Sequence, residues 1–196
     1  MAAVRSFVAI DLTGPVRESL GKQISRLAAI IPPGTVRWVR PEAIHLTLKF
    51  LGEVSQDSLG QIRELLELAA SRRSPFAFQL RGLGCFPDNR KPRVLWVGVK
   101  EESGSLAGLQ EALEAGFERL GYRREGRPFS PHLTLGRVRE GAAIAAARAA
   151  GESVERSPTE DYGDIRVDAI YLMRSDLRPT GAVYSRMAEI PLRGLG

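Results

Sequence analysis

The tetrapeptide His45-Leu46-Thr47-Leu48 returns as His132-Leu133-Thr134-Leu135, and these are the only two histidines in the chain. The copies lie 132 − 45 = 87 positions apart. Side chains along a strand alternate between faces, so each copy sends its imidazole and hydroxyl one way and its two leucines the other. Either motif alone reads as an ordinary strand with a structural histidine. The repetition reverses that reading, because both histidines share the same neighbours and the same expected facing. Brought to one cleft, the two strands present two groups that titrate near neutral pH and two neutral hydrogen-bond donors.

The flanking sequence indicates how such strands are housed. Residues 5–11 read as a first strand, stopped by Thr13-Gly14-Pro15. Val16, Leu20, Ile24, Leu27 and Ile31 then recur at helical spacing, and Pro32-Pro33-Gly34 ends that helix. A short extended piece at 36–40 contains Trp38, and the first histidine strand runs on through Leu51 to close at Gly52. A second helix is predicted over 55–71 with Ser55 as its cap, then a strand over 76–80 and a breaker-rich loop over 82–89. Residues 94–99 form the most strand-like run of the middle, and a third helix over about 105–120 stops at Gly121. The basic loop 122–131 delivers the second histidine strand. Residues 142–150 read as a short helix, 162–174 as one strand, 182–191 as a last extended segment, and the tail after Pro191 as frayed. Connections are short and nothing resembles a linker, so residues 1–196 are expected to form a single bilobal α+β domain. Its lobes are expected to be mainly antiparallel sheet with outer helices, sharing a catalytic cleft.

Composition narrows the classes. With 43% hydrophobic and 26% charged residues the chain is neither disordered nor a helical membrane protein, and no apolar run approaches the roughly 18 to 20 residues of a membrane span. The opening lacks a secretory pattern, so the expected location is cytoplasmic, and a monomer is the expectation. Cys85 is the sole cysteine, which excludes an intrachain disulfide and a thiolate metal cluster and reads as a small buried hydrophobe. No carboxylate cluster with metal-ligand spacing stands out, so neither a metal nor another cofactor is expected. The net charge of +5 permits a polyanionic partner.

Cleaving a phosphodiester needs a base for the attacking oxygen and an acid for the departing one, which two imidazoles supply when one is neutral and the other protonated. Hydroxyls of Thr47 and Thr134 would stabilise the phosphoryl oxygens. By strand parity Lys49 shares the face of His45 and Thr47 and is a candidate phosphate ligand. Arg137 has the opposite parity from His132 and joins the site only if the strand bulges at Gly136. Arg90-Lys91-Pro92-Arg93 and Arg123-Arg124 are candidates for rimming the cleft, while Phe7, Trp38 and Phe129 read first as core and second as stacking surfaces for a base.

The segments His45 to Val54 and Arg127 to Arg137 closely resemble the two signature motifs of the two-histidine (2H) phosphoesterases. More narrowly they are similar to the bacterial RNA 2′,3′-cyclic phosphodiesterase branch, also called 2′-5′ RNA ligase. The opening Phe7 to Leu12, the strand Pro92 to Trp96 and the closing Gly181 to Tyr184 fit that branch too. The resemblance implies a pseudo-two-fold pair of lobes and metal-independent hydrolysis of a terminal RNA 2′,3′-cyclic phosphate to a 2′-phosphomonoester. It also implies His45 as proton donor, His132 as proton acceptor, and reverse 2′-5′ ligation. The residues alone leave the donor–acceptor direction open. They also leave open action on a small cyclic nucleotide, an ADP-ribose cyclic phosphate or an oligoadenylate, and a non-catalytic RNA-binding module.

Overall fold

The computed structural model describes residues 3–178 and 181–194. Its elements are β1 (Ala3–Ile10), α1 (Gly14–Ile30), β2 (Val36–Trp38), β3 (Leu46–Ser55), α2 (Leu59–Ser71), β4 (Phe76–Phe86), β5 (Val94–Lys100), α3 (Ser105–Arg119), β6 (His132–Val138), α4 (Ile144–Glu155), β7 (Asp161–Val167), β8 (Ala169–Arg178) and β9 (Gly181–Pro191). Short 3-10 turns at Pro41–Ala43 and Gln56–Ser58 introduce β3 and α2. The strands form two antiparallel sheets, ordered β3-β1-β8-β9 and β2-β6-β5-β4-β7. The histidine strands therefore stand in different sheets, as expected of an α+β protein with two lobes.

The helices cross between the sheets. The helix α1 follows β1 of the first sheet yet packs on β7 of the second, and α3 follows β5 of the second sheet yet packs on β3 of the first. Val16, Leu20, Ile24 and Leu27 line the buried stripe of α1, and each fully buried leucine there contributes about 1.5–3 kcal/mol. One continuous core results, running from Val8 and Ile10 through Leu46 and Leu48 to Leu95, Leu133 and Leu135. All four leucines of the repeated tetrapeptide are inside it, at 0–3% exposure.

Several boundaries differ from the sequence expectation. The first histidine strand does not close at Gly52, which lies within a β-bulge at φ +71 while pairing continues to Ser55. Residues 82–86 are not loop but the end of β4. Gly84 is there because the Trp96 ring lies flat across it, where a Cβ would come within 2.2 Å of the indole. The expected strand over 162–174 is two strands in different sheets, parted only by Asp168. The alanine-rich helix extends to Glu155. The tail is held rather than frayed as far as Gly194: Leu192 is buried, its amide donates to the Asp168 carbonyl at 2.8 Å, and the Gly194 amide donates to Arg73 at 2.9 Å. Residues 195–196 lie outside the described part. Among the described residues no helix is long and apolar enough to cross a membrane.

Candidate active site

His45 stands one residue ahead of β3, and His132 opens β6. Their rings are held alike. His45 Nδ1 lies 2.9 Å from the Ala43 carbonyl and His132 Nδ1 lies 2.7 Å from the Ser130 carbonyl, in each case the carbonyl two residues earlier. A carbonyl only accepts, so Nδ1 carries the proton and Nε2 is the basic nitrogen of each neutral ring. No described residue bonds either Nε2.

Aromatic rings fix each imidazole further. Phe7 stacks on His45 at 4.7 Å and Tyr184 meets it edge-on at 4.9 Å. Phe86 meets His132 edge-on at 4.8 Å, and Trp96 lies 6.4 Å away. Phe7 is only 2% exposed, so it serves the core and props the histidine at once. Trp38 and Phe129 pack against the main core.

The alternation within each tetrapeptide follows the expected pattern, with leucines buried and His45, Thr47, His132 and Thr134 partly open. Beyond it, both strands bulge at the same place. Ala9 pairs with Thr47 but Val8 with Lys49, which leaves Leu48 extra, and Trp96 pairs with Thr134 but Leu95 with Gly136, which leaves Leu135 extra. A bulge reverses the facing of every residue after it. The two outcomes for basic residues follow from that reversal.

Lys49 is the correction. It is turned into the interior, 5% exposed, with Nζ 2.5 Å from Glu114 Oε2 and 2.8 Å from the Arg123 carbonyl. It is not available to a phosphate. Arg137, by contrast, is carried by the bulge onto the His132 face, where its charge acts on that imidazole. The same reversal brings Phe50 to the face of Phe7, ring centroids 5.9 Å apart, and leaves it 67% exposed. Strand parity gives no sign of Phe50.

The segments around the histidines tie the two sheets together. The Val39 amide, shortly before His45, donates to the Leu135 carbonyl at 2.8 Å. Reciprocally, Lys49 of the first histidine strand holds the loop that leads to His132, through Arg123 and through Glu114, which also accepts from the Glu125 amide at 3.2 Å. The strands β3 and β6 are themselves in contact.

Burial pushes both imidazoles below the ordinary histidine range, but their charged neighbours differ. Against burial, the Ala43 carbonyl and Asp11 draw His45 upward, with Arg17 opposing. Against burial, the Ser130 carbonyl draws His132 upward, while Arg137 adds to the lowering. Asp11 was not singled out by the sequence. Burial works against its charge, but Arg186, the Leu12 amide and Arg17 hold it below the usual carboxylate range. Cys85 is buried with its thiol pushed up to about 11, which fits a packing role. Of the expected rim clusters, Arg124 is bound to Glu111 and Glu118, while the amides of Arg90 and Lys91 close on Asp88. No group of three or more potential metal ligands occurs among the described residues.

Two antiparallel sheets, each carrying a His-x-Thr strand with its histidine pinned through Nδ1, define the chain as a two-histidine phosphoesterase. The profile of the 2′-5′ RNA ligase superfamily matches residues 16–179, and the chain belongs to that family. A relative from Archaeoglobus fulgidus, named RNA 2′,3′-cyclic phosphodiesterase, is 36% identical over 92% of this chain and 96% of its own. One of the same name from Methanothermobacter thermautotrophicus is 35% identical over 94% and 96%. Among solved structures, a protein of Thermus thermophilus superposes with a TM-score of 0.79 at 32% identity, covering 97% of this chain and 98% of that one. E. coli LigT complexed with 3′-AMP gives a TM-score of 0.77 at 28% identity, covering 97% and 99%.

Proposed function

We propose that this protein hydrolyses terminal RNA 2′,3′-cyclic phosphates to 2′-phosphomonoesters, using His45 and His132 as an acid–base pair. The observation that carries the reading is the matched pose of the two rings, each with Nδ1–H spent on a backbone carbonyl and Nε2 left for chemistry. The many relatives named RNA 2′,3′-cyclic phosphodiesterase, matched over nearly their whole length, support the substrate class.

His132 Nε2 takes a proton from water as the water oxygen bonds to phosphorus. The P–O3′ bond breaks, and His45 Nε2–H delivers its proton to the departing 3′ oxygen. Water is consumed and the phosphate stays on the 2′ oxygen. The direction has an electrostatic support: Asp11 favours the charged form of His45, whereas Arg137 favours the neutral form of His132. Thr47 and Thr134 donate to the phosphoryl oxygens, Arg137 adds a fixed positive charge beside them, and exposed Phe50 offers the terminal base a stacking face. With a 5′ hydroxyl in place of water, His132 takes the hydroxyl proton as O5′ bonds to phosphorus, P–O3′ breaks and His45 protonates O3′, so the same pair joins the end as a 2′-5′ bond with no nucleotide energy source.

The test is product mapping on an RNA ending in a 2′,3′-cyclic phosphate, with a chelator present. The expected product carries a 2′-phosphate at an undiminished rate. A 3′-phosphate product reverses the leaving-group assignment, and RNA bound without turnover makes the protein a binding module.

A further inference from the structure

The short strand β2 breaks the correspondence between the two sheets. It adds an edge beyond β6, whereas β3, the other histidine strand, is itself an edge. Gly136 makes room for it, since a Cβ there would come within 2.5 Å of Val36 and 2.9 Å of Trp38. What β2 brings to the His132 face is Arg37, directly opposite Arg137 in the antiparallel register.

Two like charges directly opposed across a ladder destabilise it. Both side chains are exposed, and neither pairs with a carboxylate among the described residues. Arg17, Arg26, Arg124, Arg166 and Arg186 all do. An unneutralised guanidinium fork opposite Arg137 suits a second phosphate next to the reacting one, to which it can donate bidentately. Arg137 already acts on His132, so Arg37 lies one strand farther out from the reacting group. In an RNA that ends in a cyclic phosphate, the only other phosphates are on its 5′ side.

We propose that Arg37, backed by Arg137, binds the phosphodiester immediately upstream of the terminal nucleotide, so that the protein selects the end of an RNA chain over a free cyclic mononucleotide. This rests on the phosphodiesterase reading and names how that site reads its substrate. The site is a specificity feature rather than part of the acid–base pair.

The test compares two dinucleotides ending in the same 2′,3′-cyclic phosphate, one with an ordinary phosphodiester linkage and one with a neutral methylphosphonate linkage. The wild-type protein is expected to favour the charged linkage about tenfold in kcat/KM, and Arg37→Gln to erase that preference, with a salt dependence shallower by about one unit. Thermal unfolding of Arg37→Gln is expected at or above the wild-type temperature, since a like-charge contact is removed. A wild-type protein indifferent to the linkage, or an Arg37→Gln variant that keeps the preference, overturns the inference while leaving the phosphodiesterase reading intact. Absence of turnover on both substrates by the wild type overturns both.

Discussion

His45 and His132 share a pose but not a charge environment, and their titration should register the difference. Burial lowers both from the ordinary 6.5, so the optimum of kcat/KM, which reports the free enzyme, is expected below pH 6.5. The bell for kcat should lie at higher pH, because a bound phosphate anion favours the imidazolium form. Asp11→Asn removes the carboxylate that draws His45 upward and should move one limb to lower pH. Arg137→Gln removes the charge that lowers His132 and should move the other limb to higher pH. Initial rates across pH check all four expectations, and both substitutions acting on the same limb would contradict the division of neighbours. The facing of the histidines and threonines is legible in the sequence because a repeated motif carries its alternation with it. That of Lys49 is not, because a bulge at Leu48 reverses parity just before it. Phe50 was hidden by the same reversal, and Asp11 because only the fold brings the end of β1 beside His45.

At the scale of elements, the matched bulges convert one strand face into two uses. In β3 the residue after the bulge is Lys49, which forms a buried ion pair with Glu114 of α3 and holds the loop before His132. Lys49→Met leaves Glu114 buried without its counter-charge, which should lower stability by about 3–5 kcal/mol in denaturant unfolding. Adding Glu114→Leu should recover part of that loss, since two apolar side chains replace a broken pair; a double variant weaker than the single one would contradict this. The helices α1 and α3 could be read closely from sequence, since their apolar spacing and their stops at Pro32 and Gly121 are local signals. The split at Asp168 could not, because alternation runs on unbroken through a one-residue joint between sheets. Nor could the strand through Gly82 and Gly84, where Gly82 sits at φ +71 in a bulge and the Trp96 ring lies across Gly84.

Across the whole molecule, the 87-residue offset of the motifs extends beyond them. Phe7 pairs with Phe50 as Val94 pairs with Arg137, and Ala9 with Thr47 as Trp96 with Thr134, every position shifted by 87 (94 − 7, 137 − 50, 96 − 9, 134 − 47). The sheets are thus corresponding units, yet α1 and α3 cross between them and one core spans both. Calorimetry should accordingly show a single unfolding transition with equal calorimetric and van't Hoff enthalpies, whereas two separate transitions would contradict a shared core. Two lobes could be foreseen from the repeated motif; the crossing helices could not, since apolar spacing says which face of a helix is buried but not against which sheet. The central claim is that the two imidazoles work as one acid–base device across these lobes. Its most direct test is turnover of a cyclic-phosphate RNA by His45→Ala, His132→Ala and the double variant, each shown to melt like the wild type. Each single variant is predicted to lose about 10²–10⁴-fold in kcat, and the double variant little more than the worse single one. Near wild-type turnover in either folded single variant would contradict the account.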